Sequence, residues 1–132
     1  MSAAHHELAP FITLFSFQED KQRAGRVLST VKIGDVYMSR LVIAPGVVAR
    51  NFYHQQTKVM FYVETGLVQA GFEQIETKER KVQVLMPGKY VVHVFPSTAY
   101  GLKNIGTIPA VVVFFTSNRL RSEDEFYYTV LS

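Results

Sequence analysis

Short apolar runs, each followed by turn residues, set the strongest limit on how this chain can fold. The runs are rich in β-branched and aromatic residues, which favour strands. Glycine and proline between them set the backbone angles that turns need, as at Gly34-Asp35 and Pro87-Gly88. Short strands with turn signals about every 8–12 residues are typical of a β-sandwich or β-barrel. The predicted strands are 11–17, 28–33, 37–43, 59–63, 67–72, 82–86, 90–95, 100–103 and 111–115.

The length of 132 residues fits a single domain. We expect residues 1–10 to be disordered or to derive from an expression vector, and residues 11–132 to form the domain. Segments 18–26 and 122–127 are predicted as possible short helices. The absence of cysteine excludes a disulfide framework, a thiolate zinc site and a thiol nucleophile. No apolar run approaches the roughly 18 residues of a membrane span, and the start lacks the apolar segment of a signal peptide.

Three of the predicted strands, 59–63, 90–95 and 110–115, are apolar at nearly every position. A half-buried antiparallel strand should instead alternate apolar and polar residues, because one of its faces meets water. The outer faces of these strands must therefore be covered by another layer of the chain or by another chain. The N-terminal arm could cover one strand, but covering all three favours a subunit interface.

Charge offers little support for nucleic-acid binding. The 14 Lys and Arg residues only slightly exceed the 11 Asp and Glu residues, which gives a net charge of +3. The main cluster, at Lys78, Arg80 and Lys81, is predicted as a solvated hairpin tip, with a weak DNA contact as the alternative. The acidic run 123–125 is predicted as solvated surface or as the first turn of a helix. We do not expect direct DNA contact by this domain.

The spacing from Gly46 to Gly66 resembles the first motif of the cupin superfamily, a group of β-barrel proteins. On that pattern, the two histidine positions hold Phe52 and His54, and the glutamate position holds Val59 or, with a shorter spacer, Lys58. The resemblance predicts an all-β, cupin-type jelly-roll barrel with short N- and C-terminal flanking segments.

The second cupin motif is matched by Pro96 and by the segment from Tyr100 to Asn104, with tyrosine at the histidine position. Only His54 remains among the family's metal ligands. Metal chemistry needs three or four converging donors, so we predict no metal, no cofactor and no enzymatic activity. His54 and His93 are both interpreted as hydrogen-bonded barrel residues. The residues predicted to line the barrel interior are Phe52, His54, Val59, Phe61 and Tyr100.

An alternative function uses that interior. His54 and Tyr100 occupy interior-facing motif positions and could form a couple like those of sugar-nucleotide isomerases on this fold. A cupin that binds a small ligand without turning it over is a further alternative. Both predict a small-molecule site inside the barrel.

A closer resemblance is to the C-terminal cupin domain of the centromere protein C (CENP-C) family. Three sequence segments, 58–68, 100–106 and 109–116, match motifs of that family, and the resemblance covers about residues 36–117. It implies a non-enzymatic homodimerisation module of a centromere or kinetochore scaffold, located in the nucleus. Its partners would be a second copy of itself and a kinetochore or centromeric-histone deposition protein. No membrane partner is implied.

Strand phase suggests which residues form the dimer interface. If Val59 and Phe61 point inward, Met60 and Tyr62 point outward. No motif fixes the phase of 110–115, so either Val112 and Phe114 or the alternate set at 111, 113 and 115 face outward. The predicted interface consists of Met60, Tyr62, Val112 and Phe114.

Aromatic residues also mark both ends of the domain. Phe11 and Phe15 precede the predicted barrel, and Tyr127 and Tyr128 follow it. These four residues are predicted to bind a partner, because aromatic side chains are enriched at interfaces. The alternative is that both segments are edge strands packed on the barrel.

Overall fold

The computed structural model describes residues 5–132, without the side chains of residues 5–9 and of residue 22. Within this range every regular element is a strand, and no helix is long and apolar enough to cross a membrane. The strands are β1 His5–Ala9, β2 Ile12–Phe15, β3 Gln18–Arg23, β4 Arg26–Ile33, β5 Val36–Ile43, β6 Val48–Tyr53, β7 Val59–Thr65, β8 Val68–Gln74, β9 Arg80–Leu85, β10 Val92–Val94, β11 Thr98–Asn104, β12 Ala110–Thr116 and β13 Phe126–Tyr127.

Two antiparallel sheets enclose one core. The six-stranded sheet has the order β10-β7-β12-β5-β4-β3, and the five-stranded sheet has the order β13-β6-β11-β8-β9. β1 and β2 form a separate two-stranded hairpin. The predicted start of the domain at residue 11 lies at the turn of this hairpin, and residues 1–4 lie outside the described residues.

Neither of the two segments predicted as possible short helices is helical in the structure. Residues Gln18–Arg23 form β3, which pairs with β4 from Gln18 opposite Thr30. The segment 122–127 consists of bends and a turn that end in the short strand β13. Sheet pairing supplies the backbone hydrogen bonds of 18–23, and this long-range contribution outweighs local helix propensity.

The inner faces of the two sheets meet in an aromatic cluster. The ring of Phe61 lies 5.8 Å from that of Tyr100 and 5.2 Å from that of Phe114, and all three side chains are fully buried. Aliphatic side chains from both sheets complete the core, including Leu41, Ile43, Val63, Val68 and Leu102. These contacts fill the centre of the barrel with side chains.

The phase of β12 is opposite to the predicted one. Phe114 lies opposite Phe61 of β7, and Val112 lies opposite Val63. Directly opposed residues share a face, and both partners in β7 point into the core. Val112 and Phe114 are therefore interior residues and cannot form an outer interface. The residues of β12 on the other face are Val111 and Val113, which are also buried within the chain, and Phe115, which is partly exposed.

The residues after β12, 117–132, are called the C-terminal segment. This segment crosses the outer face of the five-stranded sheet. Gly71 and Gly101 lie opposite each other there, and a Cβ at Gly71 would come within 2.9 Å of the side chains of Val130 and Leu131. The Asn51 side chain fixes the segment: its Oδ1 accepts hydrogen bonds from the amides of Val130 and Leu131, and its Nδ2 donates to the Leu131 carbonyl. Two opposed glycines thus leave room for the chain to pass.

Candidate functional site

A buried polar network joins the barrel wall to the C-terminal segment. Arg50 Nε donates a hydrogen bond to the Tyr100 hydroxyl at 3.1 Å, and the Arg50 guanidinium forms an ion pair with Glu125. His54 Nε2 lies 3.1 Å from Glu125 Oε2. The side chains of Arg50, His54 and Glu125 are almost fully buried, and Tyr100 is completely so. The four residues form one connected cluster, which we call the interior network.

An irregularity in β6 positions Arg50. Arg50 and Asn51 both have left-handed backbone angles, with φ of 78° and 54°, and the register of β6 against β11 shifts at this point. This bulge lets Arg50 reach Tyr100 while the Asn51 side chain contacts the C-terminal segment. β6 was not among the predicted strands, because its polar residues and bulge interrupt the apolar pattern.

The charge states within the network follow from burial and pairing. Burial by itself would raise the pKa of Glu125, but the Arg50 charge and hydrogen bonds from His54 and Arg50 lower it to about 2. Burial would lower the pKa of Arg50, whereas Tyr100 and Glu125 together raise it. Burial raises the pKa of Tyr100 despite the nearby Arg50 charge. At neutral pH the network therefore contains a carboxylate, a guanidinium and a neutral phenol.

Asp124 holds the loop that follows β6. Its carboxylate accepts hydrogen bonds from the amides of Gln55, Gln56 and Thr57 and from the Thr57 hydroxyl. Burial would raise its pKa, but these hydrogen bonds lower it to about 2. The prediction that 123–125 is solvated surface is wrong for Glu125, whose side chain is buried. Glu123 is exposed, and Asp124 is partly exposed with its carboxylate bound to the loop. No local spacing signals this role, because the partners lie about 70 residues away in sequence.

The predicted interior residues occupy two regions. Val59, Phe61 and Tyr100 belong to the core, and His54 is buried beside them. Phe52 is also buried but lines a cleft at the barrel edge. The rings of His54 and Tyr100 are 6.2 Å apart, and each makes its polar contact with another member of the network. They are close together but do not form a direct couple.

Two further sequence hypotheses concern histidine and metals. His93 is exposed on the outer face opposite Met60, so its interpretation as a barrel residue is wrong. Within the described part of the chain, no three His, Asp or Glu groups converge as a metal site.

The outer face of the six-stranded sheet is mostly apolar. Met60 is 45% exposed and Tyr62 is half-buried, and both point outward as predicted. In the cross-strand register, Phe115 lies between Met60 and Met38, and Val113 lies between Tyr62 and Arg40. We call this surface the outer apolar face; it consists of Met38, Val42, Met60, Tyr62, Val111, Val113 and Phe115.

The four aromatic residues predicted to bind a partner differ in accessibility. Phe11, at the turn of the β1–β2 hairpin, is 83% exposed, and Tyr127 is 72% exposed. Phe15 is half-buried in β2. Tyr128 is half-buried, donates a hydrogen bond to Glu73 and lies edge-on to Tyr53. Tyr128 thus fixes the C-terminal segment, while Phe11 and Tyr127 remain accessible.

Two residues of the basic cluster also contact the C-terminal segment. Lys78 Nζ lies 5.4 Å from the Tyr128 ring, and Arg80 donates to the Val130 carbonyl. Lys78 lies in the connection between β8 and β9, as predicted, whereas Arg80 and Lys81 are the first two residues of β9. Since these contacts are structural, they favour the hairpin-tip interpretation over a DNA contact.

Comparison with known proteins finds similarity in structure. No protein-family model and no curated protein sequence matches the chain. The capsular polysaccharide assembling protein CapF from Staphylococcus aureus superposes with a TM-score of 0.78 at 17% identity, over 92% of this chain and 33% of CapF. Oxalate decarboxylase from Lactobacillus farciminis gives 0.75 at 13% identity, over 92% and 36% of the two chains.

A third similar structure is recombinant oxalate oxidase in complex with glycolate. Its TM-score is 0.67 at 14% identity, over 82% of this chain and 58% of the oxidase. The oxidase and the decarboxylase are enzymes by name, and the present chain spans only about a third of CapF and of the decarboxylase. Structural similarity at sequence identities this low is evidence for a shared fold only. The superpositions and the two antiparallel sheets around a single core show that this chain has the cupin fold, a jelly-roll β-barrel.

Proposed function

We propose that this domain is a non-enzymatic homodimerisation module of a scaffold protein, like the cupin domain of the centromere protein C family. In this proposal the outer apolar face meets the same face of a second copy. A partner protein of the kinetochore or of centromeric-histone deposition docks at the accessible aromatic residues Phe11 and Tyr127. The proposal places the domain in the nucleus, at the centromere.

The outer apolar face is the observation that carries the proposal. Three adjacent strands, β7, β12 and β5, present mainly Val, Met, Phe and Tyr on this face. Met60 is exposed there, whereas Val111 and Val113 are buried within the chain, and the exposed ion pair of Arg40 and Glu64 lies on the same face. Exposed apolar residues grouped on one face mark sites of association in proteins. A face that meets its own copy across a two-fold axis is the commonest arrangement in homo-oligomers.

The size of the face limits how much it contributes to a dimer. Three neighbouring strands at about 4.8 Å spacing and seven residues long cover roughly 14 Å by 24 Å, before the relief of the side chains is included. A standard interface buries about 800 Å² on each partner, or about a tenth of the surface of a small protein. The surface of this chain is 7669 Å². The outer apolar face, roughly 350 Å² on this estimate, is less than half of a standard interface, so its exposed border at Tyr90 and Val91 would have to contribute as well.

The barrel interior also favours association over catalysis. Packed aromatic rings fill its centre, and Glu125 places the C-terminal segment against His54. The phrases that resemble centromere protein C lie on β7, β8, β11 and β12, which include two of the three strands of the outer apolar face. The sequence resemblance and the surface chemistry thus concern the same part of the barrel.

The alternative is a sugar-nucleotide-type or small-ligand-binding cupin that uses the interior around His54 and Tyr100. The enzymes among the similar structures and the buried interior network support it. A ligand at these residues would have to displace Glu125 and break its ion pair with Arg50. Opening the interior therefore carries an energetic cost that the dimer proposal does not require.

Charge introduced on the outer apolar face should prevent dimer formation. Met60→Arg and Tyr62→Arg would each bury a like charge from both copies in the interface, so we expect folded monomers. Light scattering across a hundredfold dilution would give the mass, and circular dichroism would confirm folding. Lys58→Glu, an exposed change just before β7, is the matched control and should remain dimeric. A wild-type monomer, or two folded dimeric variants, would contradict the proposal.

A further inference from the structure

A cleft rich in arginine lies between the β3–β4 hairpin and the C-terminal segment. Its volume is about 660 Å³. It is separate from the outer apolar face, so what it binds is independent of dimer formation, but it shares Tyr127 with the proposed site of partner docking. We call it the arginine cleft; its lining residues are Arg23, Arg26, Val48, Ala49, Arg50, Asn51, Phe52, Tyr127, Thr129, Leu131 and Ser132.

The arginine cleft carries more positive than negative charge. Arg50 is paired with Glu125, but neither Arg23 nor Arg26 forms an ion pair with any side chain that the structure describes. Burial and the neighbouring charges of Arg121 and Arg50 lower the pKa of Arg23, although Glu125 acts in the opposite direction. An anion in the cleft would relieve this repulsion.

The geometry of the guanidinium groups suits an oxyanion. Arg26 is held in place because Nε donates to the Val48 carbonyl at 2.6 Å and Nη1 donates to the Ala24 carbonyl at 2.9 Å. An arginine has five N–H donors, so Arg26 keeps donors for a ligand. Arg23 lies over the Phe52 ring at 5.1 Å and is exposed to solvent. Arginine forks match phosphate oxygens in pairs, which lysine cannot do.

Aromatic surface lies beside these charges. The Tyr127 ring meets Phe52 edge-on at 6.0 Å, and Tyr127 is 72% exposed. Tyr127 and Arg23 both contact the Phe52 ring, so a planar group packed against Tyr127 would place an attached anion beside the arginines of the same cleft. The cleft volume is within the range of small-molecule sites, about 300–1,000 Å³.

We propose that the arginine cleft binds a small phosphate ester that carries a planar ring, with Arg23 and Arg26 contacting the phosphate and Tyr127 contacting the ring. The guanidinium groups of Arg23 and Arg26, which have no carboxylate partner among the described side chains, supply affinity for the phosphate. The exposed ring of Tyr127 supplies selectivity for a ligand with a planar ring. No bond is made or broken, and the ligand would act by linking the β3–β4 hairpin to the C-terminal segment.

Calorimetric titration with inorganic pyrophosphate and with ADP tests the proposal. We expect saturable binding of both, with ADP at least threefold tighter, and affinity that falls with salt. Arg23→Gln should weaken both ligands by about tenfold or more, the usual cost of a hydrogen bond to a charged group. Lys58→Gln removes one positive charge outside the cleft and should leave both affinities unchanged.

Tyr127→Ala separates the two parts of the site. It should bring ADP affinity down to that of pyrophosphate and leave pyrophosphate binding intact. Equal affinities of the wild-type protein for the two ligands would overturn the role of the ring. No saturable binding of either ligand below the millimolar range, or unchanged binding by Arg23→Gln, would overturn the phosphate site.

Discussion

Glu125 links the C-terminal segment to the barrel interior through Arg50 and His54. Its carboxylate is buried, so its charge is tolerated only because the guanidinium faces it. The reverse is also true, since Arg50 is buried and its other side-chain contacts are uncharged: the Tyr100 hydroxyl and the rings of Phe52 and Tyr100. Each charge in the network thus depends on the other. A buried pair of this kind is costly to break, even where it adds little to net stability.

Replacing Glu125 with Gln should therefore destabilise the fold strongly. The variant keeps the size of the side chain but leaves the Arg50 charge buried without a counter-ion, at a cost of about 3–5 kcal/mol. Urea unfolding at fixed protein concentration measures the change. Glu123→Gln, at an exposed neighbouring position, is the control and should change stability by less than about 0.5 kcal/mol. Equal stability of the two variants would show that the ion pair does not hold the segment.

At the scale of elements, the strands with regular apolar patterns were predictable and the irregular ones were not. Val59–Thr65 and Ala110–Thr116 were predicted within two residues at each end, because their apolar runs are bounded by turn residues. β6 was missed because its bulge at Arg50 and Asn51 breaks the pattern. The phase of β12 could not be read from sequence, since all its central positions are apolar and only pairing with β7 decides which face is inside.

The packing of the C-terminal segment on the sheet also depends on Gly101, which has no side chain. A Cβ there would clash with Asn51 Oδ1, the acceptor that holds the amides of Val130 and Leu131. Gly101→Ala should detach the C-terminal segment and cost about 1–3 kcal/mol, the penalty of leaving buried polar groups unpaired. Hydrogen exchange should rise first at residues 128–132.

Gly106→Ala is the matched control for this substitution. A Cβ at Gly106 would meet its nearest neighbours at 3.5 Å, which is ordinary van der Waals contact. Exchange at 128–132 should then match the wild-type protein. If Gly101→Ala leaves exchange and stability unchanged as well, the Asn51 side chain has room to move and does not anchor the segment.

At the scale of the molecule, the cupin fold followed from sequence, whereas the composition of the interior network did not. The fold depends on strand number, turns and motif spacing, all of which are local or periodic features. The network joins Arg50 and His54 to Glu125 across more than 70 residues, so no local pattern records it. Sequence reasoning placed His54 and Tyr100 inside the barrel but did not include Arg50 and Glu125, which determine the electrostatics there.

The two low carboxyl pKa values make stability depend on pH in a defined direction. Asp124 and Glu125 each have a pKa of about 2 in the folded protein, below the ordinary values of 3.8 and 4.5. The unfolded chain therefore binds more protons, so the stabilisation is complete above about pH 5 and is lost as pH falls toward 2. The free energy of unfolding, measured with urea between pH 7 and pH 2.5, should fall steadily below pH 5. In Glu125→Gln the free energy of unfolding should fall less steeply with falling pH, because one of the two carboxyls no longer titrates. If it falls as steeply as in the wild-type protein, the acid sensitivity comes from other groups.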